Sequence, residues 1–175
     1  MITLISGTNR QNSRTRTVTN IYQSVLESKG AKTQIVDLAE ILPSDIIPNG
    51  LYANSGKHED FNVIRDLMWD SQKFVFVVPE YNGSFPGVLK VFIDALKFPG
   101  TFTDKKAGLI GLGSGLQGAV LGMSHLTDIF AYLQMSTLGF KPKLAQIDKH
   151  LANGEITNEL YTTMLHQHAE KMINF

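Results

Sequence analysis

The segment Val75-Phe-Val-Val-Pro-Glu-Tyr-Asn-Gly-Ser-Phe-Pro-Gly-Val-Leu-Lys-Val-Phe-Ile-Asp94 decides how the rest of the chain can be arranged. Residues 74–78 are a continuous run of β-branched and aromatic side chains, which predicts a central strand buried on both faces. Pro79 cannot donate a hydrogen bond to a sheet, and turn-forming residues follow it, so we expect the strand to end there. A helical pattern of apolar residues begins at Leu89. In a parallel α/β sheet, such a loop lies at the carboxyl edge, where these folds bind ligands.

The apolar patterns on either side of this segment alternate between strand and helix. Strands are predicted at residues 2–6, 33–38, 74–78, 106–112 and 143–147. Helices are predicted from residue 13 to a cap at Gly30, over 59–71, 89–96 and 117–137, and from Ile156 onward, with residues 39–57 as a long irregular loop. This alternation predicts a parallel sheet with helices on both faces.

Three loops are expected to meet at one edge of this sheet. Five strands of this kind fit the order 2-1-3-4-5, in which strands one and three diverge at the topological switch point. That order brings residues 7–13, 79–86 and 113–118 to the same rim. We therefore expect the three loops to line a single pocket.

The first loop carries the donors that a phosphate group requires. Thr8, Arg10, Ser13 and Thr15 lie between the first strand and the first helix. Hydroxyls, an arginine and the N–H groups of a helix N-terminus bind phosphate in proteins. In the alternative interpretation Ser13 only caps the helix and the arginines are solvated, although one helix end can serve both purposes.

The third loop contains one G-x-G-x-x-G pattern, Gly113-Ser-Gly-Leu-Gln-Gly118. A dinucleotide fingerprint belongs in the first βα unit and is followed by an acid about 20 residues later. Here the next acid at a strand end, Asp148, lies well beyond that spacing. We therefore interpret this loop as a glycine-lined wall where the backbone and the Ser114 hydroxyl approach a flat ring. Nothing in the chain matches the P-loop pattern, which argues against a nucleoside triphosphatase.

The amino-acid composition excludes several classes of protein. The 175 residues include 16 Lys+Arg and 16 Asp+Glu, so the balanced charge offers no electrostatic basis for binding nucleic acid or an anionic membrane. The chain has no cysteine, which fits a reducing cytosol, and its histidines show no metal-ligand spacing. Residues 1–5 are too short for the apolar core of a signal peptide, and the apolar segment 107–123 is too rich in glycine for a membrane span. We expect a soluble cytoplasmic protein, with residues 1–175 forming one domain.

Two segments resemble a known family. Residues 79–90, Pro-Glu-Tyr-Asn-Gly-Ser-Phe-Pro-Gly-Val-Leu-Lys, resemble the flavin-ring loop of the NAD(P)H-dependent FMN reductase family, which includes quinone, azo-dye and chromate reductases. Residues 7–13, Gly-Thr-Asn-Arg-Gln-Asn-Ser, resemble its phosphate loop, where Gly-Ser-x-Arg-x-x-Ser is usual. With the matching order of strands and helices, the similarity covers roughly residues 2–147. It implies a flavodoxin-like three-layer sandwich.

The resemblance also implies a cofactor and a reaction. FMN would accept a hydride from NAD(P)H and pass electrons to a small oxidised acceptor such as free flavin, a quinone or an azo compound, in ping-pong exchange. The flavin carries the chemistry, so we expect no catalytic side chain and no metal. The residues implied in cofactor binding are Thr8, Arg10, Asn12, Ser13, Arg14, Thr15, Pro79, Glu80, Tyr81, Asn82, Gly83, Ser84, Ser114 and Gly115.

Within the second loop, the main-chain N–H groups of Tyr81, Asn82 and Gly83 are expected at the edge of the flavin ring. Glu80 is expected to orient the loop. The family further implies a homodimer or homotetramer, for which Leu96, Phe98, Pro99 and Phe102 are candidate contact residues. Two alternatives remain open: a flavodoxin-like one-electron carrier between protein partners, and an interaction domain without flavin.

Overall fold

The computed structural model describes residues 1–175 and places a parallel sheet between two layers of helices. The strands are β1 (Ile2–Ser6), β2 (Thr33–Asp37), β3 (Lys73–Pro79), β4 (Lys106–Leu112), β5 (Ser136–Thr137), β6 (Lys143–Leu144), β7 (Leu151–Ala152) and β8 (Glu155–Ile156). The helices are α1 (Arg14–Ser28), α2 (Leu38–Ile41), α3 (Ile46–Gly50), α4 (Glu59–Asp70), α5 (Gly87–Ala95), α6 (Val120–Tyr132), α7 (Ile147–His150) and α8 (Glu159–Asn174), with a 3₁₀ turn at Tyr52–Asn54.

The main sheet has the predicted order, β2-β1-β3-β4-β5. β3 is its central strand and pairs in parallel with β1 on one side and β4 on the other. Residues 74–78 are completely buried. The predicted buried central strand and the flavodoxin-like fold class are confirmed.

Each face of the sheet has its own apolar core. Phe74, Phe76 and Val78 on β3 belong to a cluster that also includes buried residues of α4, α5 and α6. The alternate residues Val75 and Val77 belong to a second cluster with buried residues of α1 and α8. This alternation follows from the pleat of a strand, which directs successive side chains to opposite faces.

The fifth strand position differs from the prediction of one strand over 143–147. Two short strands, β5 and β6, pair in turn with the beginning and the end of β4. Pro142 directly precedes β6 and has no N–H to donate, although its carbonyl oxygen accepts a hydrogen bond from the Gly111 N–H at 2.9 Å. The position is therefore filled by an interrupted strand.

Three further predictions need correction. The loop predicted over 39–57 contains two short helices and the 3₁₀ turn. The helix predicted over 117–137 is limited to Val120–Tyr132, since Ala119 and Gln134, one on each side, have positive φ angles of 62° and 61°. Ile156 belongs to β8, which pairs with β7 through an Asn153-Gly154 turn, and the last helix begins at Glu159.

A buried polar pair joins α1 to α8. The Tyr22 hydroxyl oxygen and His168 Nδ1 lie 2.6 Å apart, and both residues are completely buried. Burial raises the pKa of Tyr22 and lowers the pKa of His168 to about 4. Both groups are therefore neutral at pH 7.

Stability is expected to fall as the pH drops from about 6.5 to about 4, because histidine in an unfolded chain titrates near 6.5. In this window the unfolded chain binds a proton that the folded chain excludes from His168, which lowers the free energy of unfolding by up to about 3 kcal/mol. Urea unfolding at several pH values measures this dependence. His168→Gln should flatten it, whereas His125→Gln, a change at an exposed histidine, should follow the wild type. Parallel curves for wild type and His168→Gln would contradict the assignment.

Candidate functional site

The three predicted loops line one cavity at the carboxyl edge of the sheet. The cavity has a volume of about 370 Å³. Its lining residues are Arg10, Gln11, Asn12, Ser13, Arg14, Thr15, Pro79, Glu80, Tyr81, Leu112, Gly113, Ser114 and Ile147. Nine of the residues predicted to bind the cofactor are in this set. The predicted residues that are not part of the lining are Thr8, Asn82, Gly83, Ser84 and Gly115.

At one end of the cavity the first loop runs into α1. The Ser13 side chain accepts a hydrogen bond from the Arg16 N–H at 3.1 Å, so Ser13 caps the helix. The N–H groups of Arg14 and Thr15 have no acceptor in the protein. The N-terminus of α1 therefore presents free donors and its positive dipole end to the cavity, as anion binding requires.

Thr8 joins the first loop to the second. It is 1% exposed, and its hydroxyl oxygen lies 2.6 Å from the Tyr81 hydroxyl and accepts a hydrogen bond from the Arg10 N–H at 3.3 Å. Thr8 therefore holds two cavity-lining residues, Arg10 and Tyr81, in place.

The second loop forms a tight turn over residues 81–84. The N–H of Tyr81 donates to the Ser84 carbonyl at 2.9 Å, and the N–H of Ser84 donates to the Tyr81 carbonyl at 3.0 Å. Asn82 and Gly83 have φ angles of 49° and 74°, the positive values of a type I′ turn. The expected role of the Tyr81 N–H is therefore wrong, because that group is used inside the turn. The N–H groups of Asn82 and Gly83 have no acceptor in the protein.

Glu80 links the second loop to the third. Its carboxylate accepts a hydrogen bond from the Ala119 N–H at 2.8 Å, and its own N–H donates to the Leu112 carbonyl at 2.9 Å. Glu80 thus fixes the second loop against the end of β4 and the start of α6.

The third loop folds back over the end of β4. A Cβ atom at Gly111 would overlap the Gly118 carbonyl oxygen and lie 2.7 Å from the Met123 methyl group. The N–H groups of Gln146 and Ile147 donate to the carbonyls of Gly115 and Gly113 at 2.9 and 3.1 Å. The glycines therefore allow a close approach of backbone to backbone.

Two functional candidates were missed by the sequence reasoning. Asp148 Oδ1 lies 3.1 Å from Arg14 Nη1 and also accepts a hydrogen bond from the Ser114 hydroxyl at 3.1 Å. His125, exposed on α6, has its Nδ1 atom 2.8 Å from the Ser84 hydroxyl oxygen. For Asp148, the only sequence signal was its position just after the predicted fifth strand. For His125, no local sequence pattern indicated a role.

The donors in the cavity fit FMN. Arg10, Ser13 and the free N–H groups of α1 suit a phosphate group, while the unpaired Asn82 and Gly83 amides, which follow the lining residue Tyr81, suit the carbonyl and nitrogen edge of a flat ring. The sheet order and this cavity together define a flavodoxin-like nucleotide-binding protein.

A sequence model of the NADPH-dependent FMN reductase family matches residues 1–143, and the chain belongs to this family. Family membership confirms the predicted cofactor, FMN, and NAD(P)H as the electron donor, and it makes the protein a flavin-dependent oxidoreductase that uses small acceptors. The carrier and interaction-domain alternatives are thereby set aside.

Individual relatives agree with this assignment. The chain is 34% identical over 98 residues to a 2-hydroxy-1,4-benzoquinone reductase from a Burkholderia species, a match that covers 51% of this chain and 52% of that protein. It is 27% identical over 164 residues to an NAD(P)H:quinone oxidoreductase from Solanum tuberosum, covering 89% and 81%. The match thus spans about half the length of the first relative and most of the second.

The fold is also similar to that of a solved flavoenzyme. FerB, an NAD(P)H:(acceptor) oxidoreductase from Paracoccus denitrificans, superposes with a TM-score of 0.77 at 19% identity, covering 99% of this chain and 94% of that one.

No helix of the chain combines the length and apolarity needed to cross a bilayer.

Proposed function

We propose that residues 1–175 form a single FMN-binding domain that passes electrons from NAD(P)H to a quinone. The observation that carries this proposal is the convergence of three loops on one cavity, whose lining includes the phosphate donors of the first loop and Tyr81, the residue that begins the turn with the free amides. The quinone is proposed because both relatives described above are quinone reductases.

The residues divide into those that bind and those that position. Arg10, Ser13 and the α1 N-terminus hold the phosphate, with Asn12, Arg14 and Thr15 beside them. The N–H groups of Asn82 and Gly83 hold the ring edge, with Ser114 and Gly115 forming the facing wall. Thr8 and Glu80 are positioning residues, because each fixes one loop against another.

When bound, FMN supplies the two-electron chemistry of the reaction. The protein's contribution is to hold the ring edge with neutral main-chain donors on a turn that is fixed at both ends. The Thr8–Tyr81 and Glu80–Ala119 hydrogen bonds join the three loops to one another. No side chain is assigned as an acid, base or nucleophile.

A fluorescence titration with FMN, followed by NAD(P)H oxidation assays, tests this function. We expect saturable quenching of FMN fluorescence, and NAD(P)H oxidation that depends on both FMN and an added quinone. Free flavin and an azo dye in the same assay compare the other acceptor classes. A lack of saturable FMN binding would contradict the function, and activity with an azo dye but no quinone would contradict the acceptor.

We also propose that the protein is a cytoplasmic homodimer. Three large exposed side chains, Tyr52, Phe98 and Tyr132, line a groove of about 720 Å³ beside α5 and α6. Lys90 and Asp94 also line the groove and pair with each other at 2.7 Å, so the exposed aromatic side chains are the candidate contacts between two copies related by a two-fold axis. Of the contact residues expected from sequence, Phe98 and Pro99 are exposed, whereas Leu96 and Phe102 are buried in the core.

Tyr132→Asp is expected to weaken this dimer by at least 100-fold, because it places a charge in the centre of an apolar contact. Sedimentation velocity measures the effect over a range of protein concentrations. Leu160→Asp is a matched control, since Leu160 is exposed on α8 and is not in the groove. A wild type that stays monomeric, or a Tyr132→Asp variant that sediments like the wild type, would contradict the proposed contact.

A further inference from the structure

Asp148 is an acidic residue at the rim of a cavity built to bind an anion. It lies in α7, next to Ile147, which lines the cavity. A carboxylate repels a phosphate group, so its position there is unexpected if the residues around it only bind phosphate.

The contacts of Asp148 are with two residues proposed to bind the cofactor. One oxygen, Oδ1, lies 3.1 Å from Arg14 Nη1 and 3.1 Å from the Ser114 hydroxyl oxygen. Arg14 is the first residue of α1, and Ser114 belongs to the third loop. Asp148 therefore bridges the two sides of the cavity and occupies donors from both.

The charge of Asp148 cannot move far from the cavity. The N–H groups of Gln146 and Ile147, directly before it, donate to the carbonyls of Gly115 and Gly113. A side-chain rotation could release Arg14 and Ser114, but the backbone would keep the carboxylate near the rim. The one acid in the cavity lining, Glu80, accepts a hydrogen bond from the Ala119 N–H.

We propose that Asp148 competes with the FMN phosphate for Arg14, and so weakens the protein's hold on FMN, while its hydrogen bond from Ser114 keeps the carboxylate at the rim. This inference rests on the proposed function. A phosphate monoester carries nearly two negative charges at pH 7, so its binding is weakened both by the pairing of Arg14 with Asp148 and by repulsion from the Asp148 carboxylate. FMN then exchanges with solvent more readily than it would in a cavity without this acid.

Asp148→Asn tests the competition, because it removes the charge and keeps a side chain of the same size. FMN fluorescence titration should show binding about three- to tenfold tighter than in the wild type, with the gain reduced in high salt. Stopped-flow measurement of FMN release should show a slower rate. Riboflavin, which lacks the phosphate, should bind wild type and variant equally.

Asp60→Asn is the matched control, because Asp60 is an exposed aspartate at the start of α4 without an ion pair. It should leave FMN affinity unchanged. Equal or weaker FMN binding by Asp148→Asn would overturn the inference, as would an equal change for riboflavin. If the wild type itself binds no FMN, the proposed function fails first, so the two failures are distinguishable.

Discussion

Arg10→Ala is expected to weaken FMN binding by about 30- to 150-fold, the effect of losing a charge-assisted hydrogen bond of about 2–3 kcal/mol. Arg10 lines the cavity and has no carboxylate partner, whereas Arg14 is paired with Asp148 and Arg16 with Asp37. The guanidinium of Arg10 is therefore available to a phosphate group. Fluorescence titration with FMN measures the loss.

Two controls accompany this prediction. Riboflavin lacks the phosphate, so its affinity should change little in Arg10→Ala. Arg16→Ala removes an arginine whose Nη1 lies 2.8 Å from Asp37, outside the cavity, and should leave FMN binding nearly unchanged. Equal losses for FMN and riboflavin would show that Arg10 shapes the loop and does not bind the phosphate.

Gly111→Ala is expected to lower the free energy of unfolding by about 3 kcal/mol and to weaken FMN binding more than tenfold. The new methyl group would overlap the Gly118 carbonyl oxygen and the Met123 side chain, and would push the third loop away from β4. Urea unfolding and FMN titration measure the two effects.

Gly115→Ala is the matched control for the same loop. A Cβ atom at Gly115 meets nothing within 4 Å, and its φ angle is not in the positive range. This variant should keep wild-type stability. If Gly111→Ala yields no folded protein, Gly122→Ala tests the second loop instead, because its Cβ would lie 2.8 Å from the Phe85 nitrogen. Wild-type FMN affinity in Gly111→Ala or Gly122→Ala would contradict the packing described for that loop.

The secondary-structure elements that were predicted correctly are those determined by the local sequence. The run at 74–78 has no polar residue, so only a strand buried on both faces suits it, and once its position is known the order of the other strands follows from the topology. The turn residues after Pro79 were equally readable, because Asn-Gly favours a type I′ turn. The same signal at Asn153-Gly154 would have predicted the β7–β8 hairpin.

The errors come from features that depend on distant contacts. The short strand β5 was hidden inside a helical pattern, because the apolar residues around it pack against the core whether they are helical or not. The roles of Thr8 and Asp148 depend on partners 73 and 34 residues away, and no local pattern identifies such pairs. The Tyr81 N–H was misassigned because the sequence of a loop does not show which of its N–H groups donate hydrogen bonds within the turn itself.

An amide-resolved NMR titration of the ¹⁵N-labelled protein with FMN and, separately, with riboflavin tests whether the three loops hold one FMN molecule. FMN should shift the amides of the α1 N-terminus, the 81–84 turn and the 113–115 segment together. Riboflavin should shift the turn and the 113–115 segment and leave Arg14 and Thr15 unchanged. Shifts confined to one of the three loops, or centred on the groove at Tyr132, would contradict the claim that the loops hold one FMN molecule.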